Sequence, residues 1–312
     1  MIYRSTILAA ALCLAGSVAM AQVPPDIAAK NKAIGQKIDT VATGAIYGPL
    51  HPKAPYSQPG LQVSRDIPYG PGDKEKLDLF TSGIKPGEAL KPVLIYVHGG
   101  GFVGGDKAPI VNGVQSQFAD NIMLWAVRQD IVGVNINYEL APKATYPSVQ
   151  KSIALAIAWV QKNAAQHGGD PNRIYLMGHS AGGGHVAAYA GSPEFYPPGG
   201  LGLKGLIISS GTSDAPSVPN KVYFVPEDRY GKLDFKPALF ASKLPILAFR
   251  AEYDPDWAVI AFNGFQAASA SAPVKPEFHV NMGHGHISET YAIGTADQTM
   301  SAPLLAFIKA KR

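Results

Sequence analysis

The chain reads as an α/β protein: a mostly parallel central sheet of about eight strands with helices on both faces and an N-terminal arm or small cap. Three observations predict it. Short apolar runs bounded by Gly or Pro recur from Leu61 onward. Stretches with helical apolar spacing fall between them. Two glycine-rich turns directly follow two of the apolar runs.

In chain order, Gln62–Pro68 and Lys76–Thr81 read as strands joined by Gly70-Pro71-Gly72-Asp73. Val93–Val97, set between Pro92 and Gly99, is dense enough in Val, Leu and Ile for a strand buried on both faces. Ile131–Ile136 is another. Val149, Ile153, Ile157 and Val160 recur at i, i+4, i+8 and i+11, one face of a helix. Arg173–Met177 is a strand and Ala181–Ala190 a Gly/Ala-rich helix. Leu203–Ile208, Ile246–Phe249 and Glu277–Asn281 complete the strands, and Ala302–Lys309 closes the chain as a helix.

Residues 22–60 precede this pattern as an arm or partial lid, and 61–312 form the main domain. Asp26 to Thr40 predicts a helix with Asp26 as its N-cap. Pro49, Pro52, Pro55 and Pro59 make Tyr47–Gly60 irregular. Ile27, Ile34, Ile38 and Val41 share one helical face, which must pack on something. We expect it to cross the mouth of the site and restrict substrate size, with the proline-rich Ser192–Asp234 supplying another part of the cover.

The first 21 residues read as an export leader. Arg4 is their only charge, an apolar run from Ile7 to Met20 follows, and Ala19-Met20-Ala21 is a small-residue cleavage site. A periplasmic or secreted location follows as an expectation, with the mature chain starting at Gln22. Its formal charge falls from +4 to +3, and it contains no cysteine, because Cys13 is the only one. That excludes disulfides and thiol catalysis in the mature protein. The lysines are scattered and the one dense basic cluster is Lys309-Ala310-Lys311-Arg312, so no nucleic-acid surface is expected. After the leader no apolar run is long enough to span a membrane.

Gly178-His179-Ser180-Ala181-Gly182 has the form G-x-S-x-G, at the junction of a strand and a helix. There the serine sits on a sharp, strained turn, and side chains two positions before and after it would collide, so glycine is needed at both. The turn aims the hydroxyl at the carboxyl ends of the strands, and the next helix presents its N-terminus to developing negative charge. His98-Gly99-Gly100-Gly101-Phe102 follows another strand. Its glycines leave N–H groups open to a substrate oxygen; two of them, with that of the residue after the nucleophile, make a three-point oxyanion hole. A phosphate loop would need a Gly-Lys-Ser/Thr ending, which is absent here.

A serine nucleophile needs a base, and the base a carboxylate. His185 lies inside the helix after Ser180 and His279 inside a strand, leaving His284 and His286 in the turn Met282–His286. Glu252, Asp254 and Asp256 are the acids; Pro255 fixes the turn at Asp254, which is preferred. Asp254 lies 32 residues before His286, room for one helix and one strand.

His98–Phe102, Asn137–Pro142, Gly169–Ile174 and Gly178–Gly182 occur in the order seen in the α/β-hydrolases, and the chain from about Leu61 onward resembles their hormone-sensitive-lipase-like and carboxylesterase branches. Gly178-His179-Ser180 is similar to bacterial esterases related to arylformamidases and feruloyl esterases. The resemblance implies Gly100, Gly101 and Ala181 as oxyanion donors, and, from a G-x-x-H turn fitted by Gly283–His286, His286 as the base. It implies hydrolysis of a small-molecule carboxylic ester by Ser180, His286 and Asp254, with no cofactor and no metal. An arylformamidase, lactonase or peptidase would use the same groups. A non-catalytic binding protein on this fold usually lacks one of them. Phe102, Tyr223, Phe224 and Trp257 are candidate pocket walls.

Overall fold

A computed structural model describes residues 22–84, 87–111, 114–211 and 233–310. Expectations for the leader, and for Tyr223 and Phe224, fall outside them. The strands are β1 (Gln62–Pro68), β2 (Lys76–Thr81), β3 (Lys91–Val97), a minor hairpin of β4 (Ile110–Val111) and β5 (Val114–Gln115), β6 (Val132–Ile136), β7 (Gly169–His179), β8 (Gly205–Ser209), β9 (Ile246–Tyr253) and β10 (Glu277–Gly285). Eight form one sheet in the order β1-β2-β6-β3-β7-β8-β9-β10. Strand β2 is antiparallel to both neighbours and every other pairing is parallel.

The helices are α1 (Pro25–Ile34), α2 (Thr40–Tyr47), α3 (Asp120–Arg128), α4 (Ser148–Asn163), α5 (Ala181–Ala190), α6 (Lys236–Ala241), α7 (Asp256–Ala268), α8 (Ser288–Tyr291) and α9 (Ser301–Lys309). Side chains alternate across the sheet. Val93, Ile95 and Val97 of β3 pack with Ile153, Ile157 and Val160 of α4 and Val186 of α5. Leu94 and Tyr96 face the other way, toward Met123 and Trp125 of α3 and Leu304 and Phe307 of α9. Each such buried Val, Leu, Ile or Phe contributes roughly 1.5–3 kcal/mol, so both layers draw on burial.

Two boundaries differ from the sequence reading in ways that matter. Strands β9 and β10 run on past Phe249 and Asn281 to Tyr253 and Gly285, carrying the acid and base turns to their tips. The arm is not one helix from Asp26. Gly35, at φ 62, ends α1, its N–H bonding to the Asn31 carbonyl. Pro24 holds the N-cap position of α1, with Pro25 at its start. The aspartate that caps is Asp39, whose side chain accepts from Ala42 N at 2.8 Å to start α2. Among the described residues no helix is long and apolar enough to cross a membrane.

Candidate active site

Strand β7 ends at His179 and α5 begins at Ala181, so Ser180 alone makes the turn, with φ 54 and ψ −121. That is costly for a residue with a Cβ, and such strain is characteristic of sites that must aim a side chain. The flanking glycines are sterically required. A Cβ on Gly178 would lie 2.3 Å from Gly182 O, and one on Gly182 would lie 2.2 Å from Val97 O. Ser180 N donates to Ser209 O at 2.9 Å, pinning the turn to β8.

Three residues far apart in sequence meet here. His286, just past β10, places Nε2 2.8 Å from Ser180 Oγ and Nδ1 2.7 Å from Asp254 Oδ1. A carboxylate only accepts, so Nδ1 carries the proton and Nε2 accepts from the serine hydroxyl. Asp254 is fully buried, and its other oxygen accepts from Ala251 N at 2.8 Å and Ser210 Oγ at 2.6 Å. The carboxylate is thus held at both ends.

The rival residues are engaged elsewhere. His284 is buried, with Nδ1 3.1 Å from Ser288 Oγ and Nε2 3.0 Å from Asp297 Oδ2. His185 is buried in α5 edge-on to Phe102 and Tyr138. Glu252 accepts from Gly283 N at 2.7 Å, and exposed Asp256 accepts from Gln36 Nε2 at 2.9 Å. His98 stacks on Tyr138 beneath the glycine loop.

Gly100, Gly101 and Ala181 border the same cavity as Ser180. Ala181 is the first residue of α5, so its N–H has no acceptor within the helix. Gly100 has φ 129, and a Cβ there would lie 2.1 Å from Gly104 O. The cavity, of about 710 Å³, is walled by Ile38, Val41, Phe102, Phe118, Trp257 and Tyr291. Trp257 stands edge-on to the His286 ring at 5.3 Å. Among the described lining residues Asp106 is the one carboxylate, and there is no Lys or Arg. Asp106 is itself occupied by Asn137 Nδ2 at 2.8 Å.

The arm reaches the site directly. Ile38 and Val41 line the cavity mouth, 53% and 75% exposed, while Ile27 and Tyr47 are buried beside Phe118. Gln36 Nε2 donates to Asp254 O at 3.1 Å and Asn31 Nδ2 to Gly283 O at 2.8 Å, so the arm holds both the acid and base turns.

Sequence reasoning missed several residues around Ser180, His286 and Asp254. His179 lies behind His286 and donates Nε2–H to the His286 carbonyl at 2.8 Å. Burial, aided by nearby His286, pushes its pKa down to about 3, so it stays neutral. Glu289, on α8, is a second fully buried carboxyl; it takes a hydrogen bond from Ser209 Oγ and one of 2.8 Å from Asn281 Nδ2. No motif marks Glu289; only its burial in the folded chain reveals it.

Several known proteins are similar to this chain in sequence or in fold. Residues 77–195 match the BD-FAE family. Esterase LipQ of Mycobacterium tuberculosis is 36% identical over 158 residues, 50% of this chain and 35% of that protein. Phenmedipham hydrolase of Pseudarthrobacter oxydans is 34% identical over 161 residues, 49% of this chain and 30% of that protein. The chain therefore spans about a third of the length of these relatives. Esterase LipI of the same mycobacterium is 28% identical, with 83% of both chains covered. Among solved structures, esterase B from Lactobacillus rhamnosis superposes with a TM-score of 0.66 at 16% identity, covering 91% of this chain and 96% of that one. Carboxyl esterase 2 from Tuber melanosporum gives 0.63 at 18% identity, covering 83% and 88%. With a single antiparallel strand in an eight-stranded sheet and a serine on the turn after its fifth strand in chain order within that sheet, the chain has the fold of these esterases, and its residues 77–195 are similar to the BD-FAE family.

Proposed function

We propose that this protein hydrolyses carboxylic esters through a covalent acyl-enzyme on Ser180. The observation that supports this most is the chain of hydrogen bonds from Asp254 through His286 to Ser180, at 2.7 and 2.8 Å, opening on an apolar cavity. Ser180 Oγ attacks the ester carbonyl while His286 Nε2 takes its proton. The oxyanion is met by the N–H groups of Gly100, Gly101 and Ala181, each worth roughly 2.7–4 kcal/mol. His286 then gives the proton to the departing alcohol. A water, deprotonated by the same ring, attacks the acyl-enzyme, and Ser180 leaves with the proton. Asp254 fixes the ring and stabilises the imidazolium without itself taking a proton.

The esterase names of similar proteins support the reaction class, and the absence of Lys and Arg from the described cavity lining favours an uncharged substrate. The test is labelling by a fluorophosphonate at Ser180, together with hydrolysis of p-nitrophenyl esters, N-formylkynurenine and a peptide anilide. Preference for the esters supports the reading. Faster turnover of the formamide or the anilide assigns a different bond, and neither labelling nor turnover makes the chain a binding protein.

Residues 1–21 serve, in this reading, as an export leader, supported by Arg4, the apolar run and Ala19-Met20-Ala21. The exported protein should then begin Gln22-Val23-Pro24. Recovery from the periplasm or medium with Met1 intact would contradict it.

A further inference from the structure

The proposed mechanism uses one buried carboxyl, and the structure contains two at the same place. Asp254 and Glu289 are both fully buried. They are served by consecutive residues: Ser209 Oγ donates to Glu289 Oε1, and Ser210 Oγ donates to Asp254 Oδ2 at 2.6 Å. Successive strand residues normally point to opposite faces. Ser210 escapes this by adopting φ 42, a left-handed conformation that is strained for serine. The same Ser209 offers its carbonyl to Ser180 N at 2.9 Å. One dipeptide therefore touches the nucleophile's turn, the triad acid and the second carboxyl.

Glu289 also lies behind the base, its Oε1 4.0 Å from His179 Nε2, the nitrogen that donates to the His286 carbonyl. We propose that Glu289 is a positioning residue of this active site, a second buried carboxyl whose charge, acting beside Asp254, sets how firmly His286 holds a proton. The proposal rests on the triad reading above.

The surroundings let Glu289 change charge. Its titratable neighbours are Asp254 from the turn after β9, His179 from β7, Tyr96 from β3 and, beyond them, His286. His179 is neutral, and burial raises the Tyr96 hydroxyl far above its ordinary range. Burial first, and then the negative charge of Asp254, push the Glu289 carboxyl up to about 7, against the Ser209 and Asn281 hydrogen bonds that favour its anion. Asn281 suits either state. Its Nδ2 donates to the anion, and its Oδ1 has no partner among the described residues. An amide rotation would let that oxygen accept a hydrogen bond from the neutral Glu289 carboxyl. An anionic Glu289 adds negative charge near the imidazolium that forms on His286, which favours proton transfer from Ser180.

The test is the pH dependence of kcat and kcat/KM on a p-nitrophenyl ester for the wild type, Glu289→Gln and Ser209→Ala. In Glu289→Gln the acid limb should move down by about one pH unit and kcat at pH 8 should fall about tenfold, with KM within about twofold. Ser209→Ala keeps the carboxyl but removes a bond to its anion, so the added ionisation should move to higher pH. Carbon-13 spectra of the wild type, with glutamate carboxyls labelled, give a readout independent of turnover and of any variant's folding. One glutamate should titrate near neutrality. Profiles of Glu289→Gln that superimpose on the wild type, or no glutamate titrating above about pH 6, would overturn the proposal. Either result leaves the ester-hydrolase reading intact if the wild type is active; that reading fails only if the wild type neither turns over nor labels.

Discussion

His284 Nε2 lies 3.0 Å from Asp297 Oδ2, both side chains buried, while His286, two residues on, turns its ring to Asp254. Burial pushes the Asp297 carboxyl up, but the His284 bond and charge outweigh it and hold it below the usual carboxylate range. The two histidines therefore do separable work. His284→Ala leaves a buried carboxylate without its partner and should cost about 3–5 kcal/mol of stability. Its folded fraction should keep kcat within about threefold. His286→Ala should lower kcat by about a thousandfold or more with little loss of stability. Denaturant melts and kinetics at one temperature check both. A catalytic collapse in His284→Ala with unchanged stability would reverse the roles.

Ser180 is held at φ 54 and ψ −121, a conformation in which the Cβ, not the hydroxyl, carries the strain. Replacement by Ala removes the hydroxyl proposed as nucleophile but keeps that strain, whereas Gly removes both. Both variants should be inactive, with Ser180→Gly the more stable by about 1 kcal/mol. Equal melting curves for the two would mean that the turn is not strained.

Much of this was legible because chemistry imposed it locally. Gly178 and Gly182 are glycines for want of room, and that constraint shows in five letters of sequence. The turn at Asp254 was readable from Pro255, and the turn that carries His286 from the apolar run before it. The pairing of His284 with Asp297 was not, because it joins two turns across the fold, and spacing says nothing about which ring faces which carboxylate. Helix α3 was missed although its apolar residues recur at helical spacing; eight of its nine residues are buried, the polar Asp120 and Asn121 among them. The break in the arm at Gly35 was visible in principle, since glycine is the usual residue beyond a helix end.

The arm sets up a third expectation. Val41 lines the cavity mouth yet is 75% exposed, so a substrate long enough to reach it would cover it. Removing residues 22–60 is a poor test, since Tyr47 is wholly buried and Gln36 and Asn31 brace the turns at Asp254 and Gly283. Val41→Trp narrows the mouth without disturbing them. The ratio of kcat/KM for octanoate over acetate esters should fall about tenfold, the size of a lost apolar contact or two. An unchanged ratio would make the arm a structural brace only.

Glu289 also leaves a mark on stability that needs no catalysis to read. Its pKa rises from 4.5 unfolded to about 7 folded, mainly because burial penalises the anion. Between those values the folded state binds more protons than the unfolded state, so this group makes stability fall as pH rises, and its full cost is present above about pH 7. Buried histidines act in the opposite sense. His179 and His185 are pushed down to about 3, and His51 and His98 are lowered, each by burial first. They must charge on unfolding below 6.5, so stability from them rises with pH up to that value. The wild-type curve alone therefore mixes two slopes. The difference between Glu289→Gln and wild type isolates one, because the histidines are common to both. That difference should shift in favour of the variant as pH rises from 4.5 to 7 and stay level above about 8. Urea midpoints at half-unit pH steps would show it, and a difference that stays flat across the window would mean that Glu289 titrates as an ordinary carboxyl.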